Sequence, residues 1–467
     1  TVGCSMNLDL IRRAKVNSIM QDDLQRRSIT RMAIDFYNYN QESYTLAKIK
    51  SRYPDTYTDL QHYIVATDLS RALTRQLAKI FQQDPSIVLD GASDNLAKHF
   101  TDLLDGVNLF GSLRVIDRYA ETCNQIGIAP IFNPRTGKIK LDFITPDRCI
   151  VWQDDVDPTE AVAVAYTIRN KFNTPIAERS DVYALWTDDS YRVVTLKTDG
   201  TIDSDIEPPQ PNPYGRIPIA WFRTDMAIDS FWLDRQFPMV DANLRANIQL
   251  TNLDVALDYQ SFSTMWTSGM PEGAKLNVGV QRYINIPRDP VTGNVSGSIG
   301  YATPSPQLQT VWDIVNDNIA LAASLMGISA EAIKQGSSFN SGYQLRLSKS
   351  DVISYNVEKR SIYREPLRDL VQLIMDCKRL NSNVNMPEAA DIKIDFSDIA
   401  IEQNPLEEEQ VRSLKISNGT MSRVDAIMLD NQDLSREDAE KEIERIDTDN
   451  NRFRIGAANI DQGLFDE

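Results

Sequence analysis

The chain has 467 residues, 49 Lys and Arg against 66 Asp and Glu for a formal charge of -17, and 42% hydrophobic residues. Single cores stop growing at about 250–300 residues, so roughly three compact units are expected, and this composition excludes a disordered or fibrous chain. The acidic balance argues against gripping nucleic acid along a surface, which needs clustered Lys and Arg; it does not exclude a wall that DNA slides past, although most acidic proteins are merely soluble.

In the first 125 residues, Val65, Leu69, Leu73, Leu77 and Ile80 recur at helical spacing, and Leu103, Leu104, Leu109 and Leu113 follow in the next segment. An amphipathic helical layer is expected. The period then changes to two. Residues 128–132, a turn at Asn133-Pro134-Arg135-Thr136-Gly137, and alternating Ile139, Leu141 and Phe143 predict a β-hairpin. Further strands are expected over 161–168, 182–186 and 191–196, the last ending in Asp199-Gly200.

Residues 207–213 hold four prolines, too many for a helix or a central strand, so an extended connector and a boundary are expected there. One more strand is expected over 217–222. A helix of about 26 residues, or about 39 Å, then covers 237–262. Residues 263–306 turn to Gly, Pro, Ser and Asn with short strand-like pieces at 275–280 and 283–286, predicting a small β-rich insertion. A second helix is expected over 307–326, then a loop with Gly327, Gly336 and Gly342, then a third helix over 343–380 that Pro366 should kink.

The tail resumes with an alternating strand at Ile392, Ile394 and Phe396, followed by three short helices. Gly419 closes the first, and Ser422 with Asp425 and Ser435 with Asp438 have the spacing of helix-start caps. Ala439, Ile443 and Ile446 give the last helix an apolar stripe.

Taken in order, these elements resemble the phage portal protein family. The resemblance is carried by 212–219, Asn-Pro-Tyr-Gly-Arg-Ile-Pro-Ile, and by 322–329, Ala-Ala-Ser-Leu-Met-Gly-Ile-Ser. It is carried also by 341–345, Ser-Gly-Tyr-Gln-Leu, and by 418–422, Asn-Gly-Thr-Met-Ser. It implies an α+β, mainly helical portal fold: a wing over 1–236, a first stem helix over 237–262, a clip over 263–306 and a second stem helix over 307–326. A tunnel loop over 327–342, a long helix and return strand over 343–404, a crown over 405–447 and a tail over 448–467 complete it. It further implies a homo-oligomeric, dodecameric ring at one capsid vertex of the virion, assembled in the host cytoplasm, through which double-stranded DNA passes without sequence specificity. The implied partners are the terminase large subunit, major capsid and scaffolding proteins and a head-tail connector or adaptor; no enzymatic activity, cofactor or membrane is implied.

The residues themselves fit a conduit. Lys334, Gln335, Ser337, Ser338 and Asn340 combine one cation with neutral hydrogen-bonding groups beside Gly336, able to touch phosphates weakly; an ordinary polar surface loop is the alternative. Arg346 and Lys349 lie one turn apart just beyond, and Arg360, Arg364 and Arg368 form a row that suits a neighbouring subunit or nearby carboxylates equally. In the first stem helix Asp241, Arg245, Asp254 and Asp258 alternate with apolar residues, as in any amphipathic helix and as a ring helix with a polar lumen side requires. Trp266 and Trp312 are expected in the core.

Other chemistries find little support. No phosphate-binding P-loop is present, which argues against a packaging ATPase. Asp154-Asp155 and Asp188-Asp189 offer a metal-dependent nuclease only an adjacency common in exposed turns, and two histidines form no hydrolase triad. Cys4, Cys123, Cys149 and Cys377 are too dispersed for a zinc site and read as buried free thiols. No apolar run reaches the roughly 18 residues a membrane span needs. The remaining alternatives are a head or connector protein that conducts no DNA, and a metal-dependent enzyme of nucleic acid.

Overall fold

The computed structural model describes residues 16–168, 182–196, 202–233, 237–261, 264–268, 298–302, 308–328, 342–382, 386–387, 391–396, 405–430, 436 and 438–448. The chain divides into two compact units, the first formed by 1–335 with 349–399 and the second by 336–348 with 400–467.

The first unit opens with helices α1 (Val16–Tyr37), α2 (Glu42–Arg52), the single turn α3 (Tyr57–Leu60) and α4 (Leu69–Leu77). The expected helical run from Val65 to Ile80 is therefore shorter, with Val65 and Ile80 outside α4. After the four-residue strand β1 (Ser86–Leu89), which periodicity cannot register, come α5 (Asp94–Val107) and α6 (Leu109–Cys123). These two helices meet at one residue, Asn108, whose φ of 54° is left-handed. Asn tolerates that conformation, so the leucine pattern runs across a break between two helices.

The hairpin forms as its turn residues dictate. Strands β2 (Gln125–Asn133) and β3 (Lys138–Ile144) pair with Phe132 opposite Ile139. Gly137, at φ 66°, donates its N–H to the Asn133 carbonyl at 2.9 Å. The next strands, β4 (Cys149–Gln153), β5 (Ala161–Thr167), β6 (Val182–Thr187), β7 (Ser190–Leu196) and β8 (Ile202–Pro211), form an antiparallel five-stranded sheet in sequence order.

β8 corrects an expectation: its proline-rich stretch is a paired edge strand rather than a bare connector. An edge strand leaves one side unpaired, so prolines without N–H groups are accommodated there, and the register slips between Tyr191 and Val193 and again before Val194. β9 (Ala220–Arg223) then returns to pair with β2, giving a second sheet in the order β3-β2-β9. A Cβ at Gly127 would come within 2.8 Å of the Ile219 side chain, so this close approach of the chain to β2 requires glycine.

Helix α7 (Pro238–Ser261) follows, then the pair β10 (Thr264–Ser268) and β11 (Ser298–Ala302), then α8 (Leu308–Leu325). The strand pieces expected at 275–280 and 283–286 lie outside the described residues. Helix α9 (Gly342–Asn381) is 40 residues long and continues as one helix across Pro366. Burial of Tyr363, Leu367, Leu370, Val371, Ile374 and Met375 on both sides of that proline holds the helix together despite the lost backbone bond. These residues share a core with α5, α6, β2, β3 and β9. β12 (Ile392–Asp395) then pairs antiparallel with β1.

In the second unit, α10 (Pro405–Ser417) and α11 (Arg423–Asp430) are followed by helical residues 438–448. Gly419, at φ 68°, ends α10 as expected. The cap pair also forms: the Asp425 N–H donates to Ser422 Oγ at 3.0 Å and the Ser422 N–H to Asp425 Oδ2 at 3.2 Å. Ser435 lies outside the described residues.

Candidate functional site

Asp241, Arg245, Asp254 and Asp258 are all exposed on α7. At about 3.6 residues per turn, Asp241 with Arg245 and Asp254 with Asp258 form two patches on different sides of the helix. The structure thus groups the four residues in pairs and not along a single line.

The opposite property belongs to Asn243, Asn247 and Thr251, which are fully buried at i, i+4 and i+8 of the same helix. Asn243 Oδ1 accepts the Ser70 N–H at 2.8 Å, and its Nδ2 donates to the Thr67 carbonyl at 3.1 Å. Asn247 Oδ1 accepts both the Thr67 N–H at 2.9 Å and the Thr67 hydroxyl at 2.8 Å. Thr251 Oγ1 accepts the Val65 N–H at 3.1 Å. The non-helical strip 65–68 and the first turn of α4 therefore have the N–H groups of Val65, Thr67 and Ser70 and the Thr67 carbonyl satisfied by side chains of α7. Sequence reasoning missed this ladder because its partners lie 173 to 186 positions away along the chain.

Helix α8 packs beside α7, with Asn318 Nδ2 donating to Gln249 Oε1 at 3.2 Å. Its end is a glycine cap: Gly327 has φ 74°, its N–H reaches Ser324 O at 3.1 Å, and the Ile328 N–H reaches Ala323 O at 2.9 Å. Lys334, Gln335, Ser337, Ser338 and Asn340 lie outside the described residues; Arg346 and Lys349 fall on the first turns of α9, and their side chains are likewise outside them. Trp312 departs from expectation, being 47% exposed on α8, and the Trp266 side chain on β10 is outside the described set. The buried positions of α8 are held instead by Val315, Ala322 and Ala323.

Further along α9, Lys359 is 1% exposed, an uncommon place for lysine. Its ammonium lies 2.9 Å from Asp117 Oδ1 and in contact with the Glu121 carboxylate, both on α6 and both buried. Tyr355 donates to Glu121 Oε1 at 3.0 Å, and Asp117 Oδ2 accepts the Ile80 N–H at 3.3 Å. Burial drives the ammonium toward neutrality, but Asp117, Glu121 and Tyr355 outweigh it and hold the Lys359 pKa above the ordinary lysine value. Burial, with the same two carboxylates, raises the Tyr363 phenol well above its usual range. No sequence signal marked Lys359, which sits in a run of charges at 358–360.

The arginine row beyond it is engaged within its own subunit. Arg360 and Arg364 stack over Phe396 at 6.0 and 5.8 Å, and Arg368 Nε donates to the Ile392 carbonyl at 3.3 Å. In the second unit, Arg423 makes two bonds to Asp447 at 2.9 and 2.8 Å.

Cys123, Cys149 and Cys377 are buried free thiols, and Cys4 lies outside the described residues. Burial raises all three thiols, that of Cys149 to about 12, so they are poor nucleophiles. The Asp154 carboxylate is occupied by the N–H groups of Val156 and Asp157 at 2.7 and 2.9 Å, an ordinary turn. Among the described residues no group of three His, Cys, Asp or Glu could hold a metal, and no helix is long and apolar enough to cross a membrane. What the buried polar groups do here is fasten long helices.

No curated protein matches the chain. Among solved structures it is similar to a chain in the virion of a native gene transfer agent particle, at 12% identity over 81% of this chain and 93% of that one, TM-score 0.45. It is similar also to a chain in the neck of the native particle with C12 symmetry, at 10% identity over 76% and 86%, TM-score 0.42. A chain in the neck of the empty particle with C6 symmetry is 12% identical over 81% and 94%, TM-score 0.42. Residues 19–452 match the family described as phage portal protein, SPP1 Gp6-like. With 19–452 matched, the greater part of its length, the chain belongs to the SPP1 Gp6-like family of phage portal proteins.

Proposed function

We propose that the chain is a non-enzymatic subunit of a homo-oligomeric ring, a dodecamer in the virion, that lines the DNA channel at the capsid vertex. The observation that carries this reading is the pairing of α7 with α8, joined by the β10–β11 pair, in a chain whose family match covers residues 19–452. In this reading 1–236 is the wing, α7 and α8 are the stem, 263–306 is the clip, 327–342 is the tunnel loop and 405–447 is the crown.

One surface feature supports assembly. Ile314, Leu321 and Leu325 on α8 are 45%, 59% and 69% exposed, and their spacing of seven and four places them on one side of the helix. Apolar stripes of this kind belong under a partner, and in a ring the neighbouring subunit covers them. The clip end then meets the terminase large subunit during packaging and a head-tail connector or adaptor afterwards, while the wing meets capsid and scaffolding proteins. Lys334, Gln335, Ser337, Ser338 and Asn340, with Arg346 and Lys349, touch the DNA backbone weakly as it passes.

Light scattering and electron microscopy of the purified protein test the assembly, which predicts rings with an open axial channel. A monomer under every condition ends this reading. Replacing Lys334 and Asn340 together should shorten or destabilise packaged DNA while leaving rings intact; wild-type genome length and titre would remove the tunnel-loop role alone.

A further inference from the structure

On the flank of α6, away from the ladder on α7, a cavity of about 510 Å³ opens between the end of α4, the turn at 78–82 and α6 itself. In a chain of net charge -17 its lining is cationic: Arg75, Lys79, Arg114 and Arg118 surround it, with Gln82 as a neutral hydrogen-bonding group. One carboxylate, Asp117, belongs to the lining, and it is already engaged by Lys359 at 2.9 Å and by the Ile80 N–H.

The three guanidinium groups differ in what they already hold. Arg114 pairs with Asp84 at 2.8 Å and donates Nε to the Phe81 carbonyl at 3.1 Å, which fixes its guanidinium at the rim. Arg75 and Arg118 have no ion-pair partner among the described residues, although Arg118 is half-buried. Removing a guanidinium from water without a counter-charge is unfavourable, and an anion in the cavity offsets that cost.

We propose that this cavity is a binding site for a phosphate-class oxyanion, either a small phosphate compound or the phosphodiester backbone of nucleic acid. Guanidinium forks arriving from α4 and α6, with an ammonium from the turn, suit a group carrying several acceptor oxygens in different directions better than the single edge of a carboxylate. The volume lies within the usual range for small-molecule sites and exceeds what a lone inorganic ion fills. The site does not depend on ring assembly, so it stands or falls separately from the channel.

Calorimetric titration of the purified full-length protein with pyrophosphate at low ionic strength tests it. Saturable binding is expected, weakened about tenfold or more by Arg118→Ala and by Arg75→Ala, each losing a charge-assisted contact. Arg75 is exposed, so its variant keeps the test valid if Arg118→Ala fails to fold. Arg436→Ala, a comparable charge loss in the second unit, should bind as the wild type does. A short DNA duplex that displaces pyrophosphate in an Arg118-dependent way identifies backbone phosphate as the ligand; binding undisturbed by duplex identifies a small phosphate compound. Absence of saturable pyrophosphate binding, equal affinity in the Arg118 and Arg75 variants, or glutamate competing as well as pyrophosphate would overturn the proposal.

Discussion

Helices α7 and α9 are both anchored to the N-terminal helical layer through buried polar side chains, and they do it by opposite means. α7 uses two amides and a hydroxyl spread over eight residues, about 12 Å, each matched to backbone or hydroxyl groups of 45 and 65–70. α9 uses one ammonium set between two carboxylates of α6. The first arrangement fixes a helix along a line, so sliding by a turn breaks every bond at once. The second fixes a helix at a point, strongly, and only while all three charges are present.

The largest effect should follow from Lys359→Met, which strands two buried carboxylates. A loss of about 3–5 kcal/mol in chemical denaturation is expected. Adding Asp117→Asn and Glu121→Leu to that variant should recover much of it, because the penalty comes from unpaired charge. Next comes Asn247→Ala, which orphans the Thr67 N–H and should cost about 1–3 kcal/mol. Because Asn243 Nδ2 also donates to Asn247 Oδ1 at 3.1 Å, the double variant with Asn243→Ala should be non-additive by about 0.5 kcal/mol or more. If Asn247→Ala proved costlier than Lys359→Met, the distinction between line and point would fail.

Smaller effects belong to the second unit. Ser422→Ala should destabilise α11 by about 1 kcal/mol, read as faster amide exchange confined to that helix. Acid separates the units further. Hydrogen bonds from Ser422, Arg445 and Arg423 hold the carboxyls of Asp425, Glu442 and Asp447 below their ordinary values. Their stabilisation is complete above the usual carboxyl pKa of about 4 and is lost as pH falls through the lower folded values. Protection factors over 405–430 and 438–448 should therefore fall below about pH 4. The Lys359 contribution runs the other way: its raised pKa means it is complete below the ordinary lysine value and is lost as pH rises through the folded one. Protection factors that stay flat in acid across these helices would show that these surface pairs contribute nothing measurable.

Features written in local chemistry are legible in the amino-acid order alone. The turn ending at Gly137, the long helices, the glycine stop at 419 and the Ser422–Asp425 cap depend on residues within a few positions of one another. β8 is not legible in this way, because whether a proline-rich stretch pairs depends on there being a sheet edge to receive it. Nor is the break at Asn108, since leucine periodicity continues on both sides of it. The two buried polar anchors are hidden for a plainer reason: Lys359 and Glu121 are 238 positions apart and Asn247 and Thr67 180, so nothing local marks either partner. Trp312 departs from tryptophan's usual preference for the interior, on a helix whose buried positions are Val315, Ala322 and Ala323.

Among the described strand pairs, the short β1–β12 pair has the longest reach. Ser86 stands opposite Asp395, so both larger sheets, the paired helices, the strand pair between them and the whole of α9 are strung between two strands of four residues each. Those strands work as a clasp: everything between them is a single excursion from a body that closes on itself. A peptide bond cut within 269–297 should therefore leave one particle with two chains, held by the clasp and the shared core, and separable only under denaturing conditions. The clasp therefore cannot close until β12 has been made, long after β1.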